Sequence, residues 1–421
     1  MTGSNRLPYA PSAPESWEVV PLKFLAELAN GYVFKSDEWA DSGTPIIRIE
    51  NLNGSGNFNY SRLELPRRYR VGPGELLFAW SGNPGTSFGP FRWDQPGLHF
   101  LNQHIFNVSV HGCEKDWLFW SLRAATRWIE RELTSGMIGM VHVTKEELKN
   151  VPIPVPPLDE QRRIANFLDA ESARIDQLAS VRLSQLNLLE ERESALLDLE
   201  IDGLMASGAV APLRRFVWSV DQGASPQCEA VPAREGEWGV LKVSCLRPGS
   251  FFPGENKRLP SGVEPMARSE VREGDLLITR ANTPQLVGST AVVPAVRSKL
   301  LLSDKIFRVR LTRGMLPEFV AELARGSRIR ALCAASSNGA SQSMANIRFE
   351  EVKAWPVPVV SVAEQRLVVE RITNKRKVIE ALRRAIDSQR ALLAERRQAL
   401  ITAAVTGQFD VSTASGRGVT E

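Results

Sequence analysis

Hydrophobic positions in two long segments recur with the spacing of a coiled-coil helix. In residues 158–205 and 361–405, apolar side chains return every seven positions in one common phase. With companion positions such as Leu178 and Leu382 they form a four-three alternation, which predicts two long helices that pack on each other. The predicted interhelix seam consists of Leu168, Ile175, Leu189, Leu196, Ile372, Ile379, Ile386, Leu393 and Leu400.

Charge favours pairing of these two segments with each other. The first carries five basic and eleven acidic residues, a net charge of −6, and the second carries ten basic and five acidic residues, a net charge of +5. Opposite charges stabilise the mixed pair and disfavour self-pairing. An alternative stays open, in which two amphipathic helices pack separately on their own domains.

A different pattern precedes each long segment. Short apolar or β-branched runs bounded by Gly, Pro and Asn predict strands at residues 45–49, 75–78, 240–243 and 275–278. Residues 117–133 and 317–332 have apolar side chains at helical spacing. We therefore expect two compact mixed domains of the α/β or α+β class.

The two halves of the chain repeat each other. Residues 71–78 match residues 271–278, and Glu160-Gln161-Arg162 recurs as Glu364-Gln365-Arg366 at an offset of 204 residues. The repeat predicts one module used twice, with a pseudo-two-fold relation that makes the long helices antiparallel. The predicted segments are a mixed domain at 1–157, a helix at 158–205, a second mixed domain at 206–360, a helix at 361–405 and a tail at 406–421.

Composition restricts the class of protein further. The chain has 421 residues, of which 43% are hydrophobic, and no apolar run approaches the length of a membrane span. We expect a soluble, cytoplasmic protein with no membrane association. Four widely spaced cysteines and no histidine at ligand spacing argue against a disulfide framework or a zinc site.

Motifs for catalysis are missing from the sequence. There is no phosphate-binding G-x-x-x-x-G-K-[ST] loop, dinucleotide G-x-G-x-x-G, metalloprotease H-E-x-x-H or hydrolase G-x-S-x-G motif. The triplets Glu147-Leu-Lys149 and Glu351-Val-Lys353 match part of a nuclease pattern, but no Pro-Asp partner exists and a helix end is the better interpretation. We expect a chain that catalyses nothing itself and binds no metal.

Polar loops after the predicted strands are candidates for binding nucleic acid. The first mixed segment has a net charge of −1 and the second has a net charge of +7. Arg, Asn, Gln and hydroxyl side chains can contact base edges and phosphates, although the same residues are ordinary in turns. The candidate DNA-binding residues are Arg48, Asn51, Ser81, Asn83, Thr86, Lys242, Arg247, Arg280, Asn282 and Gln285.

Three stretches of the chain stand out as motifs. They are residues 154–168, with their Pro-Leu-x-Glu-Gln element before the heptads, the strand run at 274–278 with its copy, and residues 404–410. With these motifs the chain resembles the specificity (S) subunits of type I restriction-modification systems. The second copy departs from the pattern, because Ser361-Val-Ala-Glu364 replaces the Pro-Pro-Leu element.

The resemblance implies a function as well as a fold. Each mixed segment would be a target recognition domain for one half of a bipartite, asymmetric sequence in double-stranded DNA, with helix length setting the distance between the half-sites. Two methyltransferase (M) subunits and the restriction (R) subunits would bind this chain. S-adenosylmethionine, ATP and Mg would belong to those partner subunits, with no cofactor in this chain.

Two other functions stay open at this point. The chain could be the recognition part of a single-chain restriction-methylation enzyme, although its residues are fully used by two modules and lack a methyl-donor motif. It could also be a protein-protein adaptor with a coiled coil and no DNA role.

Overall fold

The computed structural model describes residues 6–133, 140–336 and 345–411. The described residues form two compact units, one within residues 1–182 and 388–421 and the other within residues 183–387. The border between the units therefore lies within both long helices. We call residues 6–157 of unit 1 the first domain and residues 206–360 of unit 2 the second domain.

The helices of the described residues include six short and two long ones. They are α1 (Ile49–Leu52), α2 (Lys115–Trp128), α3 (Lys145–Lys149), α4 (Leu158–Ser207), α5 (Pro317–Arg325), α6 (Ser327–Ser336), α7 (Phe349–Lys353) and α8 (Val362–Val405). A π-helical turn at Ile129–Leu133 extends α2. In the second domain the corresponding helix is interrupted at Gly326, whose backbone is extended at φ −65° and ψ 151°.

The strands of the first domain are short. They are β1 (Glu18–Pro21), β2 (Ala26–Asn30), β3 (Thr44–Ile47), β4 (Asn59–Ser61), β5 (Arg70–Val71), β6 (Glu75–Ala79), β7 (Ser81–Gly82), β8 (Gly89–Trp93), β9 (His99–Leu101), β10 (Ile105–Val110), β11 (Val141–His142) and β12 (Pro152–Val155).

The strands of the second domain follow a matching order. They are β13 (Val210–Pro212), β14 (Val217–Gln222), β15 (Gly239–Leu241), β16 (Leu246–Arg247), β17 (Ser250–Phe251), β18 (Asn256–Arg258), β19 (Leu276–Thr279), β20 (Ala281–Asn282), β21 (Thr290–Val292), β22 (Leu300–Leu301), β23 (Ile306–Leu311), β24 (Ala345–Asn346) and β25 (Pro356–Pro358).

Each domain contains the same antiparallel four-stranded sheet. Its order is β2-β10-β6-β8 in the first domain and β14-β23-β19-β21 in the second. The registers also agree, since Phe106 lies opposite Phe78 and Phe307 lies opposite Ile278. A smaller sheet contains one parallel pair in each domain, β3 with β9 and β15 with β22. The structure thus confirms the mixed domain class and the internal repeat.

Burial of the predicted apolar runs stabilises each domain. In the first domain α2 places Trp117, Leu118 and Leu122 against the sheet, where all three are fully buried. In the second domain α5 places Phe319 and Leu323 in the corresponding core. Burying a large apolar side chain contributes roughly 1.5–3 kcal/mol to folding. Each core also includes one end of α4 and one end of α8.

The repeated Glu-Gln-Arg motif has a structural role in joining helix and domain. The buried Gln161 side chain donates to the carbonyl oxygen of Pro156 (2.8 Å) and accepts from the N–H of Glu114 (2.8 Å). In unit 2 the buried Gln365 donates to the carbonyl oxygens of Val360 (3.0 Å) and Gly314 (2.9 Å) and accepts from the N–H of Leu316 (2.8 Å). Because unpaired buried groups are costly, both glutamines fix a helix start to its domain.

Within each unit, α4 and α8 pack antiparallel. In unit 1, Leu168 and Ile401 belong to one core, and Asp176 forms an ion pair with Arg397 at 2.7 Å. In unit 2, Ile201 and Ile372 share a core, and Glu200 pairs with Lys375 at 2.7 Å. These contacts run in opposite directions along the two helices, as the pseudo-two-fold relation of the repeat predicts.

The predicted seam positions differ in burial. Of the companion positions, Ile164 and Val368 are buried, but Leu178 and Leu382 were wrong. Leu168, Ile175, Ile372 and Ile379 are buried, while Leu189, Leu196, Ile386, Leu393 and Leu400 are half-buried. Leu178 and Leu382, however, are 44% and 48% exposed.

Each heptad has a second position in the seam. It lies four residues after the predicted seam residue and contains polar side chains. Arg383, four residues after Ile379, forms an ion pair with Glu193 at 3.3 Å. The pattern of hydrophobic residues favours Leu178 and Leu382 as companion positions. In the folded helices, however, charged residues that pair with each other occupy this part of the seam.

Candidate nucleic-acid interface

A polar surface forms at the same end of the main sheet in both domains. In the first domain it consists of residues 80–87, 102–104 and 141–142, and in the second of residues 280–287, 303–305 and 345–346. We call each of them a turn surface. Strands β6 and β10 lead into it in the first domain, and β19 and β23 do so in the second.

Backbone hydrogen bonds show that the two turn surfaces are equivalent. The N–H of Trp80 donates to the carbonyl of His104 (3.2 Å), and that of Arg280 donates to the carbonyl of Lys305 (2.8 Å). The Trp80 carbonyl accepts from the N–H of Val143 (3.0 Å), and the Arg280 carbonyl accepts from that of Ile347 (2.9 Å). Positions 80 and 280 therefore have one backbone geometry and different side chains.

The first turn surface exposes two of the predicted residues and buries a third. Asn83 and Thr86 are exposed, whereas Ser81 is only 4% exposed because β7 pairs with β11. The Asn83 N–H donates to Ser87 Oγ at 2.7 Å, and the Gly85 N–H donates to Glu130 Oε1 at 2.7 Å. These bonds fix the turn and leave the Asn83 side chain on its outer side.

The second turn surface is fixed by an arginine from α6. Arg330 donates to the carbonyl oxygens of Gln285 (2.5 Å) and Val287 (2.8 Å). The Gln285 side chain is exposed, and so is that of Arg280. Asn282 is half-buried and its Oδ1 accepts from the N–H of Thr283 at 2.9 Å. Of these predicted residues, Arg280 and Gln285 reach furthest into solvent.

Arg48 and Asn51 lie together at the start of α1, but their side chains differ in availability. The Arg48 guanidinium bonds Asn59 (2.6 Å) and Glu50 (2.9 Å) and lies 5.1 Å from the Trp39 ring centre. Asn51 is buried and donates to the carbonyl oxygens of Ser55 (3.1 Å) and Asn57 (2.9 Å). The Asn51 amide holds the local loop, so a ligand would meet Arg48 first.

Lys242 and Arg247 belong to a basic part of the second domain. Lys242 pairs with Glu255 at 2.7 Å, and the exposed Arg247 lies 6.0 Å from the Phe252 ring centre. A cleft of about 560 Å³ brings Lys242 together with Lys257 and Lys305, the last of which belongs to the turn surface. This cleft continues the turn surface with cations that can bind phosphate.

Sequence reasoning did not single out an aromatic and imidazole cluster on the first turn surface. The Trp80 ring centre lies 5.3 Å from that of His104 and 6.2 Å from that of His142. The Trp80 Nε1–H donates to the Gln103 carbonyl at 2.9 Å, which fixes the indole. The repeat itself offered a signal, since His104-Ile-Phe aligns with Lys305-Ile-Phe in the second half.

The charge of the two turn surfaces differs at neutral pH. Burial, and secondarily the nearby His142, lower the pKa of His104 below its usual 6.5, so that the ring is neutral at pH 7. Arg280 and Lys305 carry fixed positive charges at the equivalent place. One surface thus presents an indole and a neutral His104 ring where the other presents two cations.

The two Glu-x-Lys triplets are helix starts in the structure. Glu147 accepts from the N–H of Thr144 at 2.8 Å, and Glu351 accepts from that of Arg348 at 2.7 Å. Both glutamates are thus capping residues. Within residues 6–133, 140–336 and 345–411, no group of three or more His, Cys, Asp or Glu could hold a metal ion. In those same ranges no helix is both long and apolar enough to cross a bilayer.

Comparison with known proteins identifies similar sequences. Residues 14–187 match the family model of the type I restriction modification DNA specificity domain. The chain is 22% identical over 430 aligned residues to the type I restriction enzyme EcoBI specificity subunit of Escherichia coli, covering 94% of this chain and 87% of that protein.

A more similar stretch and a similar fold were also found. The chain is 33% identical over 175 residues to the Escherichia coli EcoEI specificity subunit, and this match covers 41% of the chain but only 30% of the relative. A chain from a solved type I R-M system shares the fold, with a TM-score of 0.70, 17% identity, and coverage of 95% of this chain and 100% of that one.

Proposed function

Because the chain belongs to the family of type I restriction enzyme specificity subunits, we propose that it recognises a bipartite DNA sequence with one domain for each half. It is the sequence-recognising and scaffolding subunit of a restriction-modification complex. The single-chain enzyme and the adaptor without a DNA role are not favoured, since the relatives that match nearly the whole chain are specificity subunits.

One observation carries this proposal, namely the presence of two equivalent turn surfaces with different exposed side chains. The backbone hydrogen bonds at positions 80 and 280 are the same, while the residues there are Trp80 and Arg280. Two copies of one surface with unrelated side chains suit the recognition of two different half-sites. Direct contact with base edges determines sequence, and phosphate contacts only position the protein.

The predicted DNA-binding residues divide by their surroundings. Arg280, Gln285, Asn83, Thr86 and Arg247 are exposed and are proposed to contact DNA directly. Three others are proposed to contact DNA from half-buried positions: Arg48, Lys242 and Asn282. Asn51 and Ser81 are buried and are proposed to shape the loops that carry the other residues.

Partner subunits are required for tight binding and for chemistry. A first domain with a net charge of −1 releases few counterions when it binds DNA. We propose that two M subunits enclose the duplex and supply S-adenosylmethionine-dependent methylation, and that R subunits supply ATP- and Mg-dependent cleavage. This chain is then non-catalytic, and with DNA as its ligand it works in the cytoplasm.

The direct test is co-expression with an adenine methyltransferase subunit, followed by modification sequencing of the host DNA. We expect methylation at one bipartite sequence with an unrecognised spacer, and none when either protein is expressed alone. Methyl transfer by the isolated chain, or methylation by the complex without sequence preference, would overturn the proposal.

A further inference from the structure

The aromatic and imidazole cluster of the first turn surface is organised as a fixed platform. The Trp80 ring stacks on Phe106 at 5.9 Å and 28°, and its Nε1–H is bound to the Gln103 carbonyl. The imidazoles of His104 and His142 both lie beside the indole, and all three rings are half-buried rather than enclosed in the core. His104 Nε2 lies 3.2 Å from the Gln103 amide nitrogen, and its Nδ1 is buried. A ligand can therefore reach the exposed parts of rings whose positions are already set.

Packing alone does not explain these three residues. The equivalent positions in the second domain carry Arg280, Lys305 and Asn346, which are exposed and polar. Position 346 is equivalent to 142, because β24 pairs with β20 as β11 pairs with β7.

The second domain supplies the lost apolar contact from another element. Phe307, the counterpart of Phe106, has the Phe349 ring of α7 at 5.3 Å. The fold thus tolerates a polar residue at position 280. Because packing does not dictate the side chain there, binding of a ligand can determine it.

We propose that Trp80, His104 and His142 contact bases of the first half-site at the place where Arg280, Lys305 and Asn346 contact bases of the second. This inference rests on the proposed function and adds the residues that determine specificity.

The chemistry of both sets fits base edges in the major groove. The His142 imidazole can donate to or accept from a purine edge, and the indole offers apolar contact to a thymine methyl group. Arg forms two hydrogen bonds with guanine, and Asn forms two with adenine. The two sets hence favour different bases, as an asymmetric bipartite target requires.

The experiment replaces the three residues, two of them by their equivalents from the second domain, in the complete complex with its methyltransferase subunits. His142→Asn gives the first domain the residue of the second, and His104→Lys and Trp80→Phe test the other two positions. Modification sequencing measures the preference for each base in both half-sites. We expect His142→Asn to change the preference at one or two bases of the first half-site by about tenfold, because one good base contact provides discrimination of that order, with the second half-site unchanged.

A matched control and three variants keep the outcome decisive. His111 is exposed outside the turn surface, so His111→Asn should leave both half-sites unchanged. The melting temperature of each variant shows whether that variant is folded. If His104→Lys does not fold, His142→Asn still tests the inference. The inference is overturned if folded variants leave all preferences within twofold, or if the second half-site changes. Failure of the proposed function looks different, because the wild-type complex would then recognise no bipartite sequence.

Discussion

The outer face of the main sheet differs between the two domains even though strand order and register agree. At one position of the central strand the first domain has Asn107, whose side chain donates to Glu75 at 2.7 Å beside an open cleft of about 780 Å³. The second domain has Arg308, which is 3% exposed and pairs with Asp221 at 2.9 Å and Asp275 at 3.2 Å.

This difference shows which parts of the module the fold determines. Buried apolar residues and the glutamines at the helix starts are repeated, because the backbone needs them in both domains. Glycines are repeated for the same reason: a Cβ on Gly31 would lie 2.1 Å from the Asn102 carbonyl oxygen, and one on Gly223 would lie 1.8 Å from that of Leu302. Charge on the sheet face and on the turn surface can vary without changing the backbone.

The largest predicted effect comes from breaking the buried ion network of the second domain. Arg308→Met leaves Asp275 and the carbonyl oxygens of Arg268 and Glu270 without this donor. Removing one partner of a buried pair costs about 3–5 kcal/mol. Hydrogen exchange of β19 and β23 should report that loss of stability in unit 2.

The first domain and an exposed arginine supply the controls for this variant. Asn107→Ala removes one hydrogen bond, so the expected loss in unit 1 is only about 1 kcal/mol. Arg310 also pairs with Asp221 but is 52% exposed, and Arg310→Ala should change stability little. Equal losses of stability for Arg308→Met and Asn107→Ala would show that the different residues at these equivalent positions do not stabilise the two domains differently.

The second prediction concerns DNA binding by the cationic turn surface. Arg280→Ala should weaken specific binding by ~1–3 kcal/mol and relax preference at one base of the second half-site. Titration of labelled DNA by the methyltransferase complex, at several salt concentrations, measures both effects. Arg313→Ala is the matched control, because Arg313 is exposed away from the turn surface. An equal loss on every sequence would instead make Arg280 a phosphate contact.

The smallest predicted effect is a difference in acid sensitivity. All four histidines lie in unit 1, and burial lowers the pKa of His99 and His104 below 6.5. As the pH falls through 6.5, the unfolded chain therefore binds more protons than the folded unit 1. The free energy of unfolding that unit 1 has above that pH then decreases.

Unit 2 contains no histidine and should not show this change. Its Glu200, Glu237 and Glu255 have a pKa lowered below 4.5 by hydrogen bonds to neighbouring groups, and their titration falls outside this pH window. Hydrogen exchange at pH 7.5 and 5.5, corrected for intrinsic rates, should show selective loss of protection in unit 1. His99→Phe should reduce that loss, and a larger loss in unit 2 would contradict the explanation.

Much of the fold could be predicted because repeated and periodic residues carry it. Heptad spacing identified Leu168, Ile175, Ile372 and Ile379, and all four are buried. The same pattern failed for Leu178, since a four-three alternation permits two companion positions and apolar character selected the wrong one. Arg383 occupies the seam through its ion pair with Glu193, and hydrophobicity cannot reveal such a pairing.

The candidate site was less predictable because residue type does not reveal exposure. Asn51 and Asn83 look alike in the sequence, yet the amide of Asn51 is buried and bonded while Asn83 faces solvent. Trp80 is of a residue type that is common in protein cores. It became a candidate only when the structure placed it at the position equivalent to Arg280. Whether these residues contact bases stays a prediction.

The central claim is that each domain recognises one half-site by itself. Its most direct test replaces residues 209–357 with the corresponding domain of a relative of known specificity and sequences the methylated sites made by the complex. We predict that one half of the bipartite sequence changes to that of the donor, while the other half is retained. A change in both halves, or no change in either, would contradict the claim.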